Sequence, residues 1–221
     1  MINNNKSGFD NFFFDLDGTI SNPKEGIVNC INYAVELIEG NLLSPESLEQ
    51  YIGSPLEEIF FSSLSVPSKD NIKYATQLYK EKYHYDGWKQ NVLYNGIHDV
   101  LRRLNESGKE CYICTIKSTK IAKLIIKHFK LGQYFKEVFG CDDGNKKHEI
   151  LSSIIVTYSL NKRKTVMIGD RYIDMQAGVN NNIFTVGVSW GFGSENELIN
   201  SGADIIIDQP SKIISFNNKD R

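Results

Sequence analysis

Cysteine is scarce in this sequence, and the four that occur among 221 residues are spread too thinly to form a disulfide framework. Cys111 and Cys114 have the C-x-x-C spacing of a zinc knuckle or a redox pair. They fall in an apolar run that we interpret as a strand, where side chains three residues apart point to opposite faces. The sequence therefore favours packing roles for the cysteines. The four histidines are also scattered, without the spacing of metal ligands.

An excess of positive charge and a long hydrophobic run are missing too. Lysine and arginine number 25 against 27 aspartates and glutamates, which leaves a net charge of −2 and no basic footprint for nucleic acid. No stretch approaches the roughly 20 apolar residues that cross a bilayer. The start, "MINNNKSGFDN", is polar and lacks the apolar centre of a secretory signal. We therefore expect a cytoplasmic location, with no nucleic acid and no membrane as partner.

What the sequence does contain is a series of short apolar runs, each followed by a helical pattern. The runs are 12–16, 111–116, 165–168, 183–188 and 204–207. Runs this continuous are typical of strands that are buried on both faces in a parallel sheet. Apolar residues at helical spacing occur in 119–129 and 148–160. Alternating strands and helices predict a doubly wound α/β core with a parallel sheet.

The interval between the first two runs is too long for a single crossover helix. It contains no convincing strand, whereas 24–40, 45–52, 55–64 and 70–88 have helical patterns. We therefore predict an all-helical inserted domain at 22–90, hinged at "SNPK" and near "KQNVLYNG". The core domain would then consist of 1–21 and 91–221.

Polar side chains follow the apolar runs where a sheet edge would bring them together. They are Asp15, Asp17, Thr115, Asp170 and Asp174, and Lys147 at the start of a helix can point to the same edge. Adjacent carboxylates in an apolar setting repel one another, and a hard divalent cation such as Mg²⁺ removes that repulsion. The pattern predicts a Mg²⁺ site that binds phosphate, with Asp15 as a nucleophile toward phosphorus.

These residues resemble the four ordered motifs of the haloacid dehalogenase-like hydrolases: "DLDGT" (15–19), Thr115, Lys147 and "GDRYID" (169–174). The resemblance covers nearly the whole chain and includes an insert where that family has its helical cap. It implies a Rossmann-like core. The tail "VGVSWGFGSENELINSGADIIID" and the insert segment "YIGSPLEEIF" look most like the phosphoglycolate phosphatase-like branch.

The resemblance implies a role for each of these residues. Asp15 is the nucleophile and a metal ligand, and Asp17 is the general acid and base whose backbone carbonyl also binds the metal. Thr115 hydrogen-bonds the phosphate and Lys147 neutralises it. Asp170 binds Mg²⁺, and Asp174 holds Lys147 or a metal-bound water, although it also fits an ordinary carboxylate in the first turn of a helix.

Further residues are expected to bind substrate. They are Gly18 and Thr19 in the first motif, Ile116 after Thr115, and Gly53 in an insert loop "GSPLEE" (53–58). Ile116 departs from the Asn or Ser that is frequent in the family, but its backbone N–H can still serve. Lys146 competes with Lys147 for the phosphate-neutralising role, and the spacing favours Lys147. Lys117 is interpreted as a solvated lysine outside the site, and "WGFGS" (190–194) as a tight loop rather than a nucleotide site.

The function that the resemblance implies is a Mg²⁺-dependent phosphatase for a small phosphomonoester. Phosphoglycolate is the first candidate, followed by nucleoside monophosphates and sugar phosphates. Asp17 favours a phosphatase over a dehalogenase, because an alkoxide leaving group needs a proton. The alternatives are a phosphomutase, a phospho-accepting signalling module and a catalytically inactive enzyme homologue that serves as a binding subunit. Either a monomer or a homodimer is compatible with the sequence.

Overall fold

The structure of the protein, a computed structural model, describes residues 8–40, 42–49, 52, 54–142 and 144–217. The chain forms two units. The core unit consists of Met1–Ile20 and Leu93–Arg221, and the insert unit is Ser21–Val92. In the described part of the chain, no helix is both long enough and apolar enough to span a membrane.

The strands, in chain order, are β1 (Asn11–Phe14), β2 (Ser21–Asn22), β3 (Val92–Leu93), β4 (Glu110–Thr115), β5 (Phe135–Gly140), β6 (Thr165–Gly169), β7 (Phe184–Val188) and β8 (Ile205–Ile207). Within the described ranges, β2 and β3 pair in a two-stranded sheet, and the other six form a parallel sheet in the order β5-β4-β1-β6-β7-β8. β1 is therefore an interior strand, paired with β4 and β6.

The helices of the core unit are α5 (Ile97–Glu106), α6 (Thr119–His128), α7 (Lys147–Thr157), α8 (Tyr172–Asn180), α9 (Glu195–Asn200) and α10 (Lys212–Asn217). Helices α7 and α8 pack on each other and on the sheet, and α5 contacts both β4 and α10. These helices flank a parallel sheet, so the predicted α/β class is confirmed.

The phenylalanines of β1 explain why its apolar run is continuous. Phe12, Phe13 and Phe14 have no exposed surface. Phe13 stacks on Tyr112 with ring centroids 4.8 Å apart, in the cluster that α7 and α8 cover. Because side chains alternate along a strand, Phe12 and Phe14 face the other side, where Phe14 contacts Phe135. Each buried phenylalanine contributes about 1.5–3 kcal/mol, so β1 is firmly held.

The insert unit contains α1 (Lys24–Glu39), α2 (Pro45–Glu49), α3 (Leu56–Ser63) and α4 (Lys69–Tyr85). Helix α1 packs mainly on α4 through apolar residues at helical spacing. It ends at Glu39 and is capped by Gly40, whose φ of +73° suits glycine. Helix α4 begins after Ser68, whose side chain accepts a hydrogen bond from the backbone N–H of Asn71 over 3.1 Å.

One strand of the main sheet has no counterpart in the sequence prediction. β5, with the sequence "FKEVFG", lies at the edge of the sheet, and it mixes buried residues with more exposed ones. Lys136 and Glu137 interrupt the apolar pattern, because an edge strand exposes polar side chains that an interior strand cannot. A search for continuous apolar runs therefore passes over it.

Candidate active site

The first acidic pair stands at the carboxyl end of β1. Asp15 follows Phe14 directly, and its backbone N–H donates to the carbonyl of Ile168 over 2.9 Å. Gly18 then turns the chain with a φ of +84°, a conformation that favours glycine. A Cβ atom at Gly18 would lie 2.1 Å from Asp170 Oδ2. Glycine is therefore needed there both for the turn and for its close approach to Asp170.

Lys147, the first residue of α7, is 3% exposed and links two carboxylates. Its Nζ lies 2.5 Å from Asp15 Oδ1 and also donates to Asp174 Oδ1. Burial acts to lower the pKa of Lys147, but Asp15 and Asp174 raise it above its ordinary value, so the ammonium stays charged. Lys146 is exposed, and its backbone N–H donates to Glu149. Of the two competing lysines, the structure puts Lys147 in the cluster.

Asp170 comes directly after β6 and has no exposed surface. Thr19 Oγ1 donates to its Oδ1 over 3.1 Å, and the backbone N–H of Phe192 donates to its Oδ2 over 2.9 Å. Burial, followed by the nearby charges of Asp15 and Asp174, holds the pKa of Asp170 well above its usual range. The charged form of Asp170 would therefore be stabilised by a cation.

Asp174 lies in the first turn of α8 and is 2% exposed. Its Oδ2 accepts a hydrogen bond from the backbone N–H of Arg171 over 2.9 Å, while its Oδ1 accepts from Lys147. The same carboxylate thus caps the helix and contacts the lysine, which the sequence presented as alternatives. Burial raises the pKa of Asp174 to about 6, although Lys147 acts in the opposite direction.

The carboxylates of Asp15, Asp170 and Asp174 form a group that fits a metal ion. Each offers one oxygen, and these oxygens lie within 4.8 Å of one another. Hard oxygen ligands suit Mg²⁺, and a cation there would offset the repulsion and burial that raise the pKa of Asp170. Among the described residues, Asp174 rather than Asp17 supplies the third carboxylate of this group. For Asp17, the resemblance implies that the backbone carbonyl is the metal ligand.

The side chain of Asp17 has a different partner, Lys117. Their Oδ2 and Nζ atoms lie 2.7 Å apart, and the two side chains are 12% and 11% exposed. Burial raises the pKa of Asp17 even though the Lys117 ammonium lowers it. The interpretation of Lys117 as a solvated lysine is therefore wrong. Its position, two residues after a polar residue that ends an interior strand, was the available signal.

The other expected substrate-binding residues lie in three places. Thr115 ends β4 beside β1 and is 1% exposed, and its Oγ1 accepts from the backbone N–H of Lys117 over 3.3 Å. Ile116 is half-buried in the same turn. Thr19 is fully buried, and the contact that its hydroxyl makes is with Asp170. Gly53 lies outside the described residues.

The loop after β7, with the sequence "WGFG" at 190–193, packs closely around Asp170. The indole N–H of Trp190 donates to the carbonyl of Thr19 over 3.1 Å. A Cβ atom at Gly191 would lie 2.3 Å from Asp170 Cβ, and one at Gly193 would lie 2.0 Å from the Asp170 carbonyl oxygen. The glycines are needed for this close packing, so the loop holds Asp170 in place.

Comparison with known proteins shows a match over most of the chain. The family model described as haloacid dehalogenase-like hydrolase matches residues 12–188. A 5'-nucleotidase from Pseudomonas aeruginosa is 31% identical over 193 residues, which cover 86% of this chain and 87% of the relative. The tyrosine-protein kinase PtkA of Mycobacterium tuberculosis is 26% identical over 196 residues, which cover 87% of this chain and 66% of the relative.

Solved structures agree with these sequence matches. A haloacid dehalogenase-like family hydrolase from Streptococcus pneumoniae superposes with a TM-score of 0.88 at 28% identity. The superposition covers 94% of this chain and 98% of that one. The likeness therefore extends over both units of the chain rather than over the parallel sheet alone.

Proposed function

Because the chain belongs to the haloacid dehalogenase-like hydrolases, we propose that it is a Mg²⁺-dependent phosphatase that hydrolyses small phosphomonoesters through an aspartyl-phosphate. The observation that carries this proposal is the cluster at the carboxyl ends of β1 and β6. There, Asp15, Asp170 and Asp174 place carboxylate oxygens within 4.8 Å of one another, and Lys147 pairs with two of them.

Asp15 is the proposed nucleophile. One of its carboxylate oxygens attacks phosphorus, and the bond from phosphorus to the leaving oxygen breaks, which leaves an acyl phosphate on Asp15. Lys147 lies 2.5 Å from Asp15 Oδ1, where its positive charge can balance the oxygens of the transferring group. The backbone hydrogen bond from Asp15 to Ile168 keeps the nucleophile aligned with the strand.

Asp17 is the proposed general acid and base. Its pKa is raised, chiefly by burial, which favours the protonated form that an acid needs. Asp17 gives its proton to the leaving oxygen in the first step. In the second step it accepts a proton from the water that attacks phosphorus, and this attack releases phosphate and restores Asp15.

Asp15 and Asp170 would hold the metal through their carboxylates, together with the backbone carbonyl of Asp17. When bound, Mg²⁺ would neutralise carboxylates and draw phosphate oxygens to the sheet edge. Asp174 would hold Lys147, with which it already pairs. Thr115, at the end of β4, would donate its hydroxyl hydrogen to the phosphate.

The proposed substrates are small phosphate esters of the phosphoglycolate, nucleoside monophosphate or sugar phosphate type. The likeness to a 5'-nucleotidase supports a phosphomonoester as the substrate class. PtkA is named as a tyrosine-protein kinase. A kinase of that kind transfers the phosphoryl group to tyrosine, whereas a phosphatase transfers it to water. The acceptor is therefore the property to measure.

The test is a screen of phosphomonoesters with Mg²⁺ or with chelator, in which inorganic phosphate is measured. We expect Mg²⁺-dependent release by the wild type and a loss of at least about 1000-fold for Asp15→Asn, because an amide is a poor nucleophile. Asp10→Asn is the matched control, since Asp10 is an exposed carboxylate at the other end of β1.

Turnover that persists in Asp15→Asn would require another nucleophile, and turnover in chelator would remove the metal from the scheme. Phosphoryl transfer to a bound sugar, without release of inorganic phosphate, would instead indicate a phosphomutase.

A further inference from the structure

We propose that Lys117 is a positioning residue that holds the carboxyl group of Asp17 in place for proton transfer to the leaving group. This inference rests on the proposed function, because it concerns the acid of that reaction. It concerns a residue to which neither the sequence pattern nor the comparisons give a role. We therefore expect replacement of Lys117 to slow hydrolysis most for esters whose leaving group needs a proton.

The geometry of the pair divides the two oxygens of Asp17 between two tasks. Oδ2 lies 2.7 Å from Lys117 Nζ. Oδ1 is buried and has no hydrogen-bond partner among the described residues. A buried carboxyl oxygen without a partner is unfavourable, so a partner that arrives with substrate would relieve it. With Oδ2 fixed by Lys117, the side chain cannot turn freely, and Oδ1 remains available for the leaving oxygen or for water.

The backbone of Lys117 is itself fixed, which a positioning residue requires. Its N–H donates to Thr115 Oγ1 over 3.3 Å, and its carbonyl accepts from the N–H of Cys141 over 3.1 Å. A Cβ atom at Gly140 would lie 2.2 Å from the Lys117 carbonyl oxygen, so the turn packs tightly against the end of β5. The ammonium therefore extends from a rigid support rather than from a mobile loop.

The position of Lys117 separates it from the other lysine of the site. Lys147 pairs with Asp15 and Asp174, so its charge serves the nucleophile. Lys117 pairs with Asp17, the proposed acid. The carboxylate of Asp17 is not one of the three that could hold a metal ion. The two lysines thus stabilise different carboxylates, and their removal should affect different parts of the reaction.

The proton transfer that Lys117 would assist is a balanced step. As the oxygen of Asp15 bonds to phosphorus, the bond from phosphorus to the leaving oxygen breaks, and the proton of Asp17 moves to that oxygen. An alkyl ester leaves as an alkoxide unless it is protonated, whereas p-nitrophenolate is stable without a proton. A misplaced acid therefore slows hydrolysis of the alkyl ester selectively.

The experiment compares p-nitrophenyl phosphate with an alkyl phosphate such as glycerol phosphate, both with Mg²⁺. We expect Lys117→Met to lower kcat for the alkyl ester by about 100-fold and for the aryl ester by less than about 5-fold, within the range that general acids contribute. Lys117→Arg keeps the charge and should recover alkyl-ester kcat to within about 10-fold of the wild type.

Lys109→Met is the matched control. Lys109 is 12% exposed and pairs with Asp10 over 2.8 Å, so its own exposure and the length of its ion pair resemble those of Lys117. Asp10, however, is 55% exposed, and Lys109 directly precedes β4, at the opposite end of that strand from Thr115. It should leave both esters unchanged. Equal losses on the two esters in Lys117→Met would overturn the positioning role, and so would a rise in KM alone, which would mean that Lys117 binds substrate. A wild type that is inactive on both esters would overturn the proposed function as well.

Discussion

Replacement of Lys147 by methionine should destabilise the protein strongly. The Lys147 side chain is 2% exposed, between the carboxylates of Asp15 and Asp174, which are 9% and 2% exposed. Methionine is similar in length, so packing is largely retained, but both carboxylates lose their cation. Removal of one member of a buried ion pair destabilises proteins by about 3–5 kcal/mol, because the remaining charge is left buried. We expect Lys147→Met to fall in that range.

The assay is urea unfolding followed by circular dichroism, in chelator at neutral pH. Lys109→Met is the control, because its partner Asp10 is 55% exposed and such pairs contribute about 0–1 kcal/mol. The double variant Lys147→Met with Asp174→Asn should be more stable than Lys147→Met alone, since it removes one uncompensated carboxylate. The difference should be about 1–3 kcal/mol, as is usual for coupled neighbours.

Added Mg²⁺ should stabilise Lys147→Met more than it stabilises the wild type, because the ion would supply the positive charge that the variant lacks. The reasoning would be refuted if Lys147→Met lost less than about 1 kcal/mol in chelator, below the range for a buried pair. It would also fail if the Asp174→Asn change were as harmful in the variant as in the wild type.

Two further predictions concern the same cluster. Gly18→Ala should destabilise the protein by more than about 3 kcal/mol and abolish Mg²⁺ binding in calorimetry. Gly108→Ala should destabilise it by only about 1 kcal/mol. Both glycines have a positive φ, but of the two only Gly18 would bring a Cβ atom against Asp170. A similar loss in the two variants would contradict this account. Without Mg²⁺, the free energy of unfolding should fall as pH rises from about 4 to above 6, because burial raises the pKa of Asp174 to about 6 and the folded state therefore binds the proton more tightly than the unfolded chain. Saturating Mg²⁺ should remove this fall in a pH series of urea midpoints, and a rise over the same range would contradict the sign.

The parts of the fold that could be predicted from the sequence are those in which consecutive residues are all buried. β1 is buried on both faces, so apolar side chains are favoured along it, and the run at Phe12, Phe13 and Phe14 reports this directly. β5 lies at the sheet edge and mixes Lys136 and Glu137 with apolar residues. Its strand state depends on pairing with β4, a partner that local periodicity does not reveal.

The sequence likewise predicts some contacts of the candidate site and not others. Asp15 and Asp170 follow interior strands, and parallel strands bring their carboxyl ends to one edge, so their meeting could be expected from the sequence. The pairing of Lys117 with Asp17 could not, because it depends on the direction of a side chain after a turn. The contact of Trp190 with Thr19 joins segments that are 171 residues apart in the chain. Tertiary packing alone creates contacts of this kind.

The rigidity of the sheet explains how mutually repelling carboxylates remain together. On a mobile loop, Asp15 and Asp170 could move apart and regain water, which would return the pKa of Asp170 to the ordinary range. Here the backbone N–H of Asp15 is bonded to Ile168, and Asp170 accepts from Thr19 and Phe192, so separation would break hydrogen bonds at the ends of interior strands. The repulsion is therefore retained in the folded protein and would provide part of the free energy with which a cation would bind. A site built this way would hold a metal through the stability of β1 and β6, so substitutions that loosen those strands should weaken metal binding without changing a ligand.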